Sequence, residues 1–245
     1  MGTRDDAQAP QPAATEADRR PVTARNSGLL PSQEIRDLVA AGAITGVEPI
    51  GEDQIQPASL DLRLDAVAHR VRASFLPGGG ATVLQRIDEF GMHRFELGSG
   101  AVLEKGCVYI VPLMESLNLK GRLSGFANPK SSTGRLDVFT RLIADHGAVF
   151  DQVPAGYRGP LYAEISPRTF SIVVRRGSRL SQLRLRRGSA ETGDSMLKRL
   201  QREVRVVDAV EGAADIDQGI AVTVDLSNGI GGGIVGGVTG PHPRP

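Results

Sequence analysis

Tryptophan is absent from the 245 residues, cysteine occurs once, and neither sign of charge is in excess. With 29 basic and 28 acidic residues the formal net charge is +1, so no bulk field recruits nucleic acid or an anionic membrane, and any partner must be chosen locally. Cys107, standing alone, forms no internal disulfide and builds no thiolate zinc cluster, which excludes the Cys-rich metal folds and points to a reducing compartment. No apolar run approaches the roughly 18 residues that span a bilayer. The N-terminus carries acids, prolines and glutamines where a signal peptide needs an apolar core. These absences predict a cytoplasmic protein with neither a membrane nor a nucleic acid as partner.

What is present is an ordinary globular composition, 40% hydrophobic and 23% charged, in a chain long enough for one large domain or two small ones. Residues 1–28 are rich in Ala, Pro and mixed charge and read as a disordered leader. Pro31 and Ser32 start a helix whose Ile35, Leu38 and Val39 recur at helical spacing before Gly42. The period then changes to two: Leu60, Leu62 and Leu64 alternate with Ser59, Asp61 and Arg63, the pattern of a half-buried strand. Cys107 to Leu113, Leu161 to Ile165, Ser171 to Val174 and Leu180 to Leu185 read likewise, each bounded by turn residues. Such a series predicts an all-β sandwich or barrel over residues 29–190, with minor helices. A helical connector follows over 191–215, opened by Asp194 and carried by Met196, Leu197 and Leu200. Thr223 to Leu226 echo Ser59 to Leu62, so residues 216–245 read as the start of a second similar unit or a truncated Gly-rich tail.

Three stretches carry candidate chemistry. In NPKSSTGRLD (128–137) a cation, two hydroxyls and an Arg fall within a few positions, a grouping that suits phosphate: Lys130 as point charge, Ser131 and Ser132 as donors, Arg135 as a fork one helical turn on. A capped surface helix, with Ser131 or Ser132 as N-cap, explains the same residues equally well. In FDQVPAGYRGPLYAEISPRTF (150–170), Glu164 sits in an apolar strand, with Leu161, Ala163 and Ile165 on one side and Tyr162 and Glu164 on the other, facing either solvent or an active-site floor. Arg175 to Arg187 holds six arginines and no acid but lacks interleaved aromatics, so a solvated sheet face or subunit contact fits better than a nucleic-acid groove. His69, His93, His146 and His242 stand singly, outside the H-x-E pattern of zinc deaminases and the H-E-x-x-H pattern of metalloproteases, and no protein metal site is expected.

Taken together, QPASLDLRL (56–64), PKSSTGRLD (129–137), FDQVPAGYRGPLYAEIS (150–166) and GSRLSQLRL (177–185) resemble, in order and spacing, the dCTP deaminases of the dUTPase-like superfamily. The wording looks most like the longer bacterial form with two fused units, of which this chain would be a C-terminally truncated copy. The resemblance implies a distorted β-barrel or jelly roll that forms trimers with active sites between units. By motif position it implies that Lys130, Ser131 and Ser132 hold the triphosphate, Arg135 orders substrate and attacking water, Asp151 contacts the deoxyribose, Glu164 is the catalytic glutamate, and Gln182 packs near the phosphates. Magnesium would arrive with the triphosphate, without zinc. Deamination of dCTP to dUTP is the activity implied; a dUTPase-like pyrophosphohydrolase, a bifunctional enzyme releasing dUMP, and an inactive nucleotide-binding module remain as alternatives. Thr140 to His146 reads as an insertion between Arg135 and Asp151, leaving the residues that meet the base edge unassigned.

Overall fold

The structure, a computed structural model, describes residues 27–188, 192–204, 206–207, 214–217 and 219–221. The chain divides into two compact units, residues 1–189 and 190–245. In the first unit the elements run β1 (Gly28–Leu29), α1 (Ser32–Ala40), β2 (Ile44–Gly46), a short 3-10 turn (Glu52–Gln54), β3 (Ile55–Gln56), β4 (Ser59–Leu62), β5 (Val67–Val71), α2 (Val83–Phe90), β6 (Gly91–Glu96), β7 (Ala101–Leu103) and β8 (Val108–Asn118). They continue through β9 (Leu123–Pro129), α3 (Ser131–Arg135), β10 (Val138–Ala144), β11 (Gln152–Val153), β12 (Arg158–Pro167), β13 (Ile172–Val174) and β14 (Ser181–Arg187). The second unit contributes α4 (Asp194–Val204), a helix within the stretch 191–215. The leader up to residue 26 and the Thr223 to Leu226 echo lie outside the described residues; Gly28 is already paired, opposite Arg187.

All named strand pairs are antiparallel. One sheet runs β11-β9-β14-β4-β3 with β1 added on β14, and a second runs β10-β12-β8-β5-β6 with β2 added on β8. Sequence neighbours are seldom sheet neighbours, so the chain crosses repeatedly between sheets in jelly-roll fashion. The fold is all-β with minor helices, as the strand pattern predicts. Alternation explains the core: Leu60, Leu62, Leu183 and Leu185 of the first sheet meet Val111, Leu113, Leu161, Ala163 and Ile165 of the second. The second sheet is covered on its other face too, where Ile110, Ile143 and Tyr162 pack with Val83 and Ile87 of α2. No helix among the described residues is long and apolar enough to cross a membrane.

One expectation needs correction. β4 is not half-buried: Ser59, Asp61 and the adjoining Arg63 are as enclosed as the leucines between them, because each finds a polar partner. The stretch Thr140 to His146, read as an insertion, is mostly strand. Thr140 to Ala144 complete β10, which pairs with β12 along its whole length, and only Asp145 and His146 turn away.

Arg63 belongs to a buried network. Its Nε donates to Glu115 Oε1 at 2.8 Å and its backbone N–H to Glu115 Oε2 at 2.8 Å, while Gln54 Nε2 donates to Oε1 at 3.0 Å. The remaining guanidinium nitrogens donate to the carbonyls of Pro49 and Glu48, at 3.2 and 2.9 Å. This fixes the loop before β3 against β8.

Candidate active site

The phosphate-type residues gather on the outer face of the first sheet. Lys130 and Ser131, where β9 gives way to α3, line a cleft of about 380 Å³ with Ser59 and Asp61 of β4, Gln182 and Arg184 of β14, and the turn Gln56–Ala58. Pairing puts Gln182 between Asp61 and Asn128, so three strands bring the motifs together. Lys130 Nζ forms an ion pair with Asp61 Oδ2, and Ser59 Oγ donates to Gln182 Oε1 at 2.9 Å. Asp61 Oδ1 and Arg184 Nε are buried with no hydrogen-bond partner. Donors of positive charge and a buried carboxylate oxygen with spare capacity therefore share one cleft, and the donors suit an anion. Among the described residues no group of three or more His, Cys, Asp or Glu side chains is placed to hold a metal by itself.

α3 does not begin as expected. Lys130, in extended conformation, is the N-cap and makes no side-chain capping bond; Ser131 and Ser132 are the first two helical residues. Ser132 and Arg135 are exposed and lie outside the cleft lining.

Glu164 lies elsewhere. On β12 it is only 1% exposed, so its side of the strand is not a solvent face. Arg141, directly opposite on β10, donates to Glu164 Oε1 from Nε at 3.1 Å and from Nη2 at 2.5 Å, whereas Oε2 is buried without a partner. The guanidinium carbon stands 3.6 Å from the centre of the Phe150 ring and 4.8 Å from that of Phe139, and Nη2 also donates to Ser74 Oγ at 2.8 Å. Asp151, next to Phe150, adopts a left-handed φ of 62°. Its carboxylate accepts from Leu142 N–H at 2.7 Å, its own N–H donates to the Leu142 carbonyl, and its carbonyl accepts from Ala127 N–H, tying β10 to β9.

Burial raises the Asp151 carboxyl above its ordinary value of 3.8, against the lowering effects of the Leu142 hydrogen bond and of Arg141. An acid raised in the folded state favours folding when protonated, so this contribution is present at acid pH and is lost as pH rises through the raised value. Asp151→Asn keeps the acceptor and tolerates the left-handed backbone. We expect its thermal stability to exceed wild type at pH 7 and the difference to narrow as pH falls toward 4; a pH-independent difference in melting temperature would show that the carboxyl charge is not responsible.

Lys130, Ser131 and Gln182 thus come together at the cleft on the first sheet, whereas Glu164 pairs with Arg141 on the second, and Asp151 bridges β10 of the second sheet to β9 of the first. Among the described residues no hydrogen bond or ion pair joins Ser131 or Arg135 to Glu164. Sequence reasoning missed Arg141, hidden in the presumed insertion, and Asp61, read as an outward strand residue. The signal for both was an ionisable side chain at mid-strand in cross-strand register with another polar motif residue.

The model of the 2'-deoxycytidine 5'-triphosphate deaminase N-terminal domain matches residues 26–189, which include both clusters. The chain belongs to this dCTP deaminase family. A solved structure, the 2'-deoxycytidine 5'-triphosphate deaminase from Agrobacterium tumefaciens, is 55% identical and superposes with a TM-score of 0.70 over 75% of this chain and 56% of its own. The chain therefore spans little more than half the length of that relative. The dUMP-forming dCTP deaminase of Nocardia farcinica is 33% identical over 168 residues, 66% of this chain and 78% of its own. A probable deoxyuridine 5'-triphosphate nucleotidohydrolase of Halobacterium salinarum is 31% identical over 147 residues, 59% and 82% respectively. The dCTP deaminase family thus accounts for the first unit, while the stretch after residue 189 lies beyond the matched region.

Proposed function

We propose that the chain hydrolyses the cytosine 4-amino group of dCTP, giving dUTP and ammonia, with Glu164 as the proton-transfer group. The observation that carries the reading is a family glutamate buried in an apolar strand with one oxygen held and the other bare. Replacing the amino group requires a water that loses a proton as it attacks C4 and a proton delivered to the departing ammonia; one positioned carboxylate does both in turn. Lys130, Ser131 and Arg184 supply charge and donors for the triphosphate, with Ser132 and Gln182 beside them, and Asp151 is assigned to the deoxyribose. A magnesium ion carried by the triphosphate fits the cleft, where Asp61 Oδ1 would add one protein oxygen to those of phosphate and water. No step of the deamination runs through it.

Because the phosphate cleft and Glu164 sit on opposite sheets, the reading requires a second copy, or a second unit, to bring Ser131 and Arg135 to Glu164; a trimer supplies this by rotation. Ser131→Ala and Glu164→Gln are each expected to be inactive alone, and mixing the two after partial unfolding and refolding is expected to restore activity in shared sites. No restoration would place the whole site within one chain.

The second reading, release of dUMP, is favoured by the Nocardia relative's name and by Asp151 lying within electrostatic reach of Glu164. The deciding assay is anion-exchange analysis of products from dCTP and, separately, dUTP with magnesium. Uracil nucleotide from dCTP supports deamination, and dUMP as end product makes the enzyme bifunctional. Cleavage of dUTP without deamination makes it a pyrophosphohydrolase, and dCTP bound but unchanged leaves a nucleotide-binding module.

A further inference from the structure

We propose that Arg141 is a positioning residue for the reaction: it fixes one oxygen of Glu164 and leaves the other as the oxygen presented to substrate and water. This rests on the reading of Glu164 as the proton-transfer group. A carboxylate with a side chain only 2% exposed is costly to keep ionised without a compensating cation, and Arg141 is the cation that touches it. Both of its contacting nitrogens go to Oε1. A fork-to-fork pairing would occupy both oxygens and leave none for chemistry, whereas this side-on contact uses one and leaves Oε2 buried and bare.

The guanidinium is itself held by three neighbours besides Glu164. Phe150 stacks against it at 3.6 Å, Phe139 lies beyond at 4.8 Å, and Ser74, from the segment ahead of α2, accepts from Nη2. A flexible surface arginine has none of these constraints. Cross-strand register sets the pair: Arg141 lies opposite Glu164, Glu164 opposite Ile110, Ile110 opposite His69 and His69 opposite Arg94. The charged and titratable groups around Glu164 are thus Arg141 on β10, Asp151 ahead of β11, His69 on β5, Arg94 on β6 and, from α2, Asp88, which acts on His69. Burial and Arg94 lower the His69 value, so that ring tends to neutrality. Arg141 is the one positive group in contact with the carboxylate among the described residues.

The test is the pH dependence of kcat and KM for dCTP, with magnesium, in the full-length wild type, Arg141→Met and Arg141→Lys. Displacing a reacting group by about 1 Å costs about 100-fold. Arg141→Met is expected to lose kcat by that order, with KM within a few-fold of wild type and the acid limb of the kcat profile moved to higher pH. Arg141→Lys, which returns the charge without the fork, is expected to bring the limb back and recover part of kcat. A rise in KM with kcat unchanged would make Arg141 a substrate-binding group, and an unmoved acid limb would make it merely structural; either overturns the proposal. A carbon-13 NMR titration of glutamate-labelled protein without nucleotide, with the Glu164 signal assigned by its loss in Glu164→Gln, reads the coupling independently of turnover. If the wild type fails to deaminate while the Glu164 titration still moves in Arg141→Met, the proton-transfer assignment fails but the Arg141 contact stands. If the titration does not move in a variant whose circular dichroism and melting temperature match wild type, Arg141 does not govern Glu164.

Discussion

Glu164→Gln is expected to abolish conversion of dCTP, lowering kcat by about 10³-fold or more while dCTP still binds. General acid-base groups contribute about 10² to 10⁴. The upper part of that range applies here because a single carboxylate would serve both the attacking water and the departing ammonia. Glutamine keeps the shape and one acceptor for Arg141 but removes the basic oxygen and introduces an NH₂ where Oε2 has no partner. Release of ammonia and calorimetric titration with dCTP separate the two effects. Retention of a tenth of wild-type kcat would rule out Glu164 as the proton-transfer group.

The second large effect concerns stability. Glu115 is fully buried and Arg63 is 8% exposed, and five hydrogen bonds bind this pair to each other, to Gln54 and to two carbonyls. Glu115→Ala strands a buried guanidinium, two further donors and a cavity. Breaking one side of a buried pair costs about 3 to 5 kcal/mol. For a chain of this size that corresponds to a fall in Tm on the order of 10 °C. The double variant Arg63→Met with Glu115→Leu removes the stranded charge and is expected to recover much of the loss, though the backbone N–H at position 63 and one N–H of Gln54, which keeps the Asp61 carbonyl, lose the Glu115 acceptor. Urea denaturation of the single and double variants checks both statements. A loss below about 1 kcal/mol in Glu115→Ala would mean that water reaches Arg63 despite the burial.

Much of the architecture was legible because alternation is a strong signal wherever one strand face meets a core. β4, β8, β12, β13 and β14 all fall where short apolar runs lie between turn residues, and α1 falls where the period changes to that of a helix. The polar faces were less legible. Ser59, Asp61 and Arg63 look like solvent-facing residues to any rule based on local pattern, and only their distant partners Gln182, Lys130 and Glu115 reveal that they are enclosed. Arg141 was missed for a related reason: its meaning depends on register with Glu164, 23 residues away, which no local period encodes. Glu164 itself stood out as an acid within an otherwise apolar strand. The motif order grouped Ser131, Arg135 and Glu164 as one set, whereas the fold puts the first two on α3 and Glu164 on β12.

That separation has an evolutionary consequence. Mutations in the Arg141–Glu164 pair of β10 and β12 do not touch the cleft shared by β4, β9 and β14, and mutations in that cleft leave the glutamate and its arginine alone. On the proposed assignment, a lineage built on this jelly roll can vary the strand pair that carries the base chemistry while inheriting its grip on the phosphate tail unchanged.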